Sequence, residues 1–276
     1  MEKILMNKRW LEAQNCEKEY WNSNVLDVEN EELQLRFFNL MKELMKELKI
    51  GEGDRILDLG CGPTCISKFF EGTVRIGIDP LIIYFKKNLE LPKDILFTEG
   101  RGEHLPFKNS SFDLIICRNV IDHTEDPEKV LKEVLRTLKE GGFFIIISNI
   151  YSKFVSKIKK FHEKMNFLRE NYHPHFFSVF ELKELCGKFF EAINEETVFQ
   201  KNNFKFKSKK MDKGNFRRII LFLKYLSSLD FDPILNYLRR KITFSYWNFI
   251  GFLNHKLMKN DFYQSEYLFL LKKSER

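Results

Sequence analysis

Apolar residues recur at two different spacings along this chain. In NEELQLRFFNLMKELMKELK (residues 30–49), Leu33, Phe37, Leu40, Met41, Leu44 and Leu48 share one helical face, with Asn30 as N-cap. GEGD (Gly51–Asp54) ends that helix, and the pattern changes to short apolar runs. RILDL (Arg55–Leu59), VRIGID (Val74–Asp79), ILFTEG (Ile95–Gly100), FDLIICRN (Phe112–Asn119) and FFIIIS (Phe143–Ser148) read as strands. Helical stretches separate them. A short one starts at about Pro63. PLIIYFKKNLE has Pro80 near its first turn, and DPEKVLKEVLRTLKEGG is capped by Asp126, opened by Pro127 and stopped by its glycines. Unbroken apolar strands alternating with helices predict a parallel sheet covered on both faces.

Beyond Ile150 the alternation loosens. Tyr151–Glu170 reads as a basic helix, HPHFF (His173–Phe177) as a rigid turn, and SVFELKELCGKFF as a helix opened by a Ser178/Glu181 capping box. EAINEETVF and YLFLLKK (Tyr267–Lys273) read as strands. The pattern divides the chain into an N-terminal helical lid (1–50), a core (51–200), a basic, aromatic helical insertion (201–262) and a last core strand (263–276).

Charge sharpens the division. Lys201 to the C-terminus holds 17 Lys and Arg against 6 Asp and Glu, within a net charge of +7, so the rest of the chain is mildly acidic. That asymmetry fits an anionic partner or a solvated face. Ile242–His255 is uncharged, aromatic and flanked by basic residues. It is too short to span a bilayer, yet apolar enough to lie on one, or to pack as a cap on the core. The interleaving of basic and aromatic residues also admits nucleic acid as a less favoured partner. The first residues, MEKILMNKRWLEAQ, show no signal-peptide pattern, which predicts a cytoplasmic protein, with peripheral membrane contact left open. Cys16, Cys61, Cys65, Cys117 and Cys186 are scattered, and read as reduced thiols with no metal site.

The candidate chemistry begins at RILDLGCGPT. A glycine turn between strand and helix lets a ligand approach backbone closely. Gly60 and Gly62 fit the first two positions of a dinucleotide fingerprint, but Cys65 occupies the third. Asp79 ends the second strand, where a carboxylate can take both hydroxyls of a ribose. Asp58 adds a second acid. Two acids suit a positively charged adenosyl group better than a diphosphate, and a nicotinamide enzyme is the weaker alternative.

ILDLGCGPT, GIDP, EGRGEHLPF, FDLIICRNVIDHTEDPEKVLKEVLRTLKEGGFFIIIS and HPHFFSVFELKEL, in this order, resemble the class I S-adenosylmethionine-dependent methyltransferases. The resemblance covers about Gly51–Phe199 and the last strand. It implies an α/β, doubly wound Rossmann-like fold with a seven-stranded, mostly parallel sheet. It also implies S-adenosyl-L-methionine as cofactor, leaving as S-adenosyl-L-homocysteine. Gly60, Cys61 and Gly62 would hold the methionine moiety, its carboxylate facing the next helix N-terminus. Asp58 would lie near its amino group, Asp79 and Pro80 at the ribose, Gly102 and Glu103 beside the adenine, and Arg118 and Asn119 at the switch point. EYWNSN (Glu19–Asn24) would cover the cofactor. Two positions depart from the family: Thr64 replaces a frequent glycine, and Arg101 an acid that commonly meets the adenine.

Transfer from a sulfonium needs alignment and exclusion of water more than a base. His123, His173 and His175 are the candidate bases for a hydroxyl acceptor. CRNVID lacks the motif that suits base amino groups, and no Pro-Cys nucleophile is present, so oxygen or carbon of a small or lipid-like acceptor is favoured. A tRNA methyltransferase and a non-catalytic membrane-surface module are the alternatives.

Overall fold

The computed structural model describes residues 2–23, 31–164, 173–200 and 264–273. The expected insertion at 201–262, the Asn30 cap and the end of the basic helix at 165–170 lie outside the described residues.

Two helices, α1 (Glu2–Ser23) and α2 (Glu31–Leu48), precede the sheet. The strands are β1 (Arg55–Leu59), β2 (Val74–Asp79), β3 (Leu96–Glu99), β4 (Phe112–Arg118), β5 (Leu138–Tyr151), β6 (Glu191–Gln200) and β7 (Gln264–Lys272). They form one seven-stranded sheet in the order β3-β2-β1-β4-β5-β7-β6. β1 to β5 pair in parallel, and β7 runs antiparallel between β5 and β6. The order reverses between β1 and β4, where an α/β sheet opens a crevice at the carboxyl ends of its strands.

Side chains alternate across the sheet. Leu57, Leu59, Ile115, Cys117, Phe144 and Ile146 face one way, onto Val130 and Val134 of α4 (Pro127–Thr137) and Leu182 of α6 (Val179–Gly187). Ile56, Leu114, Ile116, Ile145 and Ile147 face the other way, onto Phe37, Met41 and Leu44 of α2. Each face removes a large apolar area from water, at roughly 25 cal/mol per Å². α4 starts as its sequence predicts: Pro127 opens it and the Asp126 carboxylate accepts the Lys129 N–H at 3.0 Å. In α6 the Ser178/Glu181 capping box forms in both directions.

Some elements differ from the sequence expectation. No α-helix starts at Pro63; a 3₁₀ turn of four residues, Ile66–Phe69, takes its place. Cys65 precedes it in a left-handed conformation (φ 39°), which an incoming α-helix would not accept. α3 (Ile82–Asn88) begins two residues after Pro80, because Leu81 is its N-cap. α4 stops at Thr137 rather than at the glycines. Leu138 turns extended to pair with Phe112, so Gly141 and Gly142 lie inside β5. The basic helix is α5, Lys153–Lys164. No helix among the described residues is long and apolar enough to cross a membrane.

Candidate active site

The turn after β1 carries Gly60 at φ 66° and Gly62 at φ 51°, a region L-residues avoid. Gly60 has a second reason to lack a side chain: a Cβ there would lie 2.3 Å from Val120 Cγ2. Gly62 meets only Trp21 Cζ2, at 4.0 Å. Its N–H points at the end of β2, where Asp79 Oδ2 accepts it at 3.0 Å and Oδ1 accepts the Leu81 N–H at 2.8 Å. Each carboxylate oxygen keeps a lone pair for a further donor. Asp58 holds the turn from below by accepting the Ser67 N–H at 2.8 Å. Burial pushes both acids up to about 6, against these backbone donors.

A second cluster forms where β4 ends. Asp122 is buried, and its Oδ2 lies 3.0 Å from His173 Nδ1. The His173 ring packs on His123, centroids 4.3 Å apart. His123 Nδ1 in turn lies 3.4 Å from Glu17 Oε1 on α1. Burial alone would raise the Asp122 carboxyl, but His123 and His173 hold it down at about 2. Glu17 is pushed up to about 7 by burial, with Asp122 and Asp79 adding to the rise and His173 opposing it. Asp122, His123 and His173 each bring a ligand-capable atom within 4.8 Å of the others, although the Asp122–His173 contact itself has hydrogen-bond length.

α1 lies over both clusters. Trp21 covers Gly62 and meets Phe85 edge-on, and Tyr84 bonds Asn22. Arg9 reaches Glu163 of α5 at 2.6 Å and the His173 carbonyl at 3.1 Å. Trp10 lies on the Arg101 guanidinium, 3.8 Å from ring centroid to Cζ.

Gly60, Gly62, Asp58 and Asp79 are thus brought together around one turn, with Pro80 directly after it. Cys61 belongs to the same turn, but its thiol faces the core: a Cβ on Gly77 would meet its Sγ at 2.9 Å. Gly102 packs against Val130 and Leu59. Glu103 accepts the Glu125 N–H at 2.7 Å and binds the start of α4 to the β3 loop. Arg118 and Asn119 turn to β7, where Glu266 Oε1 lies 3.5 Å and 2.9 Å from them. Arg118 also stacks on Phe37 at 4.0 Å. His123 and His173 face each other, whereas His175 turns to the Thr124 carbonyl at 3.0 Å, and burial lowers it from the usual histidine range. All five cysteines are free thiols.

Asp122 and Glu17 carry the second cluster, and sequence spacing did not single them out. Asp122 had a local signal, an acid next to a candidate base at a strand end. Glu17 had none, because no periodic pattern marks which face of α1 turns inward.

The donor set fits a cationic nucleoside better than a pyrophosphate. Asp58, Asp79 and Glu17 line the region around the glycine turn. The 3₁₀ turn after it presents no helix N-terminus to a phosphate, and the Ser67 N–H already serves Asp58. The same observation corrects the expectation that a ligand carboxylate faces a helix N-terminus here.

A family model described as a methyltransferase domain matches residues 57–146. The uncharacterized methyltransferase YcgJ of Bacillus subtilis is 31% identical over 130 residues, covering 43% of this chain and 49% of its own length. The uncharacterized protein MJ1123 of Methanocaldococcus jannaschii is 30% identical over 168 residues, covering 58% of this chain and 75% of its own. The crystal structure of YcgJ superposes with a TM-score of 0.55 at 19% identity, over 87% of this chain and 98% of that one. With this sheet order, this glycine turn and these relatives, the chain belongs to the class I S-adenosylmethionine-dependent methyltransferases.

Proposed function

We propose that the protein transfers a methyl group from S-adenosyl-L-methionine to an oxygen of a small or amphiphilic acceptor. The observation that carries the cofactor assignment is the Asp79 carboxylate, fixed by two backbone N–H groups beside the glycine turn. Asp79 would take the ribose hydroxyls, and Gly60 to Gly62 would give the amino-acid end close access to backbone. Asp58 lies beneath that end. Gly102 and Glu103, in the loop after β3, would lie beside the adenine. When bound, the cofactor supplies an electrophilic methyl on a cationic sulfur.

The chain's own contribution is orientation, exclusion of water and proton transfer. α1 covers the turn with Trp21 and excludes water above it. Asp122 Oδ2 lies 3.0 Å from Nδ1 of His173, and this buried carboxylate would stabilise the imidazolium formed if His173 takes the proton of an acceptor hydroxyl. His123 packs on that ring as the second candidate. An oxygen acceptor fits this cluster because a hydroxyl must lose its proton on methylation.

Calorimetric titration of the full chain with S-adenosylmethionine, S-adenosylhomocysteine and NAD tests the cofactor assignment. Binding of the first two and not of NAD is expected. Binding of NAD alone would defeat it. Methyl-tritium transfer to a panel of hydroxyl, amine and carbon acceptors tests the acceptor class. Transfer to amines alone would defeat the oxygen assignment. The basic segment 201–262 is the natural contact for an amphiphile or an anionic surface, and vesicle sedimentation with and without anionic lipid measures that contact.

A further inference from the structure

α1 does more than cover the site, because it lowers an acid into it. Glu17 is three-quarters buried, and its carboxylate feels two separate places at once. Asp79 acts on it from the ribose end, and Asp122 and His173 act on it from the acceptor end. Contact with His123 at 3.4 Å and the Trp21 indole bond fix it between the two. If the sugar is held by Asp79 and the nucleophile lies at the histidines, the sulfur must lie in the interval between them. Glu17 stands over that interval.

We infer that Glu17 is the specificity residue by which the lid helix distinguishes the methyl-bearing sulfonium from the neutral thioether left after transfer. The inference rests on the cofactor reading above. With α1 closed, Glu17, Asp79, Asp58 and Asp122 concentrate negative charge that the two histidines offset only in part. A fixed positive charge on sulfur stabilises this arrangement, and the low-dielectric interior strengthens the attraction. In the transfer, the acceptor oxygen forms a bond to the methyl carbon, the sulfur keeps the electron pair of the broken S–C bond, and the hydroxyl proton leaves to the histidine cluster. The sulfur ends neutral. Glu17 then loses its counter-charge while Asp79 and Asp122 still repel it. The lid is therefore held over the substrate form of the cofactor and loosened over the product form, which couples the chemistry to release.

The test compares S-adenosylmethionine, sinefungin (an ammonium in place of the methylsulfonium) and S-adenosylhomocysteine by calorimetry. Relative to wild type, Glu17→Gln should lower the preference for the two cationic ligands over S-adenosylhomocysteine by about tenfold, a typical size for one charge-assisted contact. Asp79→Asn should weaken all three, with a smaller change in preference than Glu17→Gln. His123→Asn should keep the preference; if it abolished it, Glu17 would act only through the imidazole and the inference would fall. Hydrogen exchange on the wild-type chain gives a variant-free check: α1 amides should be better protected with sinefungin than with S-adenosylhomocysteine. An unchanged preference in Glu17→Gln, or equal protection by both ligands, would overturn the role of Glu17 and leave the cofactor reading intact. Failure of wild type to bind any of the three would overturn both.

Discussion

The Asp79 carboxylate accepts the Gly62 N–H at 3.0 Å, so the end of β2 and the turn after β1 behave as one unit. The two residues come from neighbouring strands, and the parallel register that pairs Leu59 with Ile78 brings them together. A ligand contact at either one is therefore felt by the other, which makes substitutions on this pair informative.

Asp79→Asn keeps one oxygen for one of its two backbone donors and turns an amide N–H toward the other. Leaving a buried donor unpaired costs about 1–3 kcal/mol. Removing a buried carboxylate that burial already disfavours offsets part of that cost. We expect a melting temperature close to wild type and, if Asp79 takes the ribose as proposed, a loss of S-adenosylmethionine affinity of at least about tenfold. Calorimetry and thermal denaturation on the same sample separate the two effects.

The two glycines should respond differently to alanine. Gly60→Ala adds a Cβ 2.3 Å from Val120 Cγ2 at a positive φ, so it combines a clash with strain and should destabilise the fold by more than about 2 kcal/mol. Gly62→Ala carries the strain, about 1 kcal/mol, but meets only Trp21 at 4.0 Å. Its methyl group would stand in the space between the turn and α1. The second variant should remain folded and lose cofactor binding, measured by urea denaturation and titration in parallel.

Which parts of this arrangement can be read in the chain follows from how local their causes are. β1, β2 and β4 are marked by apolar runs, and the caps of α4 and α6 by side chains next to the backbone they bind. The glycine turn and Asp79 are legible for the same reason, because strand ends fix their place. The 3₁₀ turn was missed because the left-handed Cys65 has no sequence signature. The run of β5 through Gly141 and Gly142 depends on pairing with Phe112 and on Gly142 accepting the Lys273 N–H, contacts made across the sheet. Arg118 illustrates the remaining limit: its position at the strand end was readable, but its turn toward Phe37 and Glu266 depends on α2 and β7.

The buried acids give the cofactor-free protein an unusual pH response. Burial holds Asp58 and Asp79 at about 6 and Glu17 at about 7. Between about pH 4 and 7 the unfolded chain has released these protons while the folded chain retains them, so stability falls as pH rises through that window. Asp122 and Glu181, both held at about 2, act in the opposite sense and are protonated, with loss of stability, only as pH falls below about 4. His175, whose protonated form burial disfavours, opposes this trend, but the three acids outweigh the one histidine, so a lower melting temperature is expected at pH 7.5 than at pH 5. Asp58→Asn should flatten that slope, because the amide oxygen still accepts the Ser67 N–H and the titrating group is gone. An unchanged slope in Asp58→Asn would show that this carboxyl titrates alike in both states.

Arg101 occupies a position where the family commonly has an acid, and the structure gives it another role. Its guanidinium lies under the Trp10 ring at 3.8 Å and bonds Glu125 at 2.7 Å, while Glu103 approaches at 3.6 Å. One residue earlier, Arg9 ties α1 to Glu163 and to the His173 carbonyl. α1 is therefore pinned at one turn, on the far side of Glu17 from Trp21. Trp10→Ala removes the stacked contact, about 0.5–2 kcal/mol, and leaves Arg101 with its acidic partners. Because α1 packs outside the sheet, the melting temperature of the core should change little. Faster hydrogen exchange along α1 is expected, together with a dissociation rate for S-adenosylmethionine raised about three- to tenfold and a nearly unchanged association rate. Stopped-flow displacement resolves the two rates, and a purely slower association would mean that α1 guides the ligand in rather than retaining it.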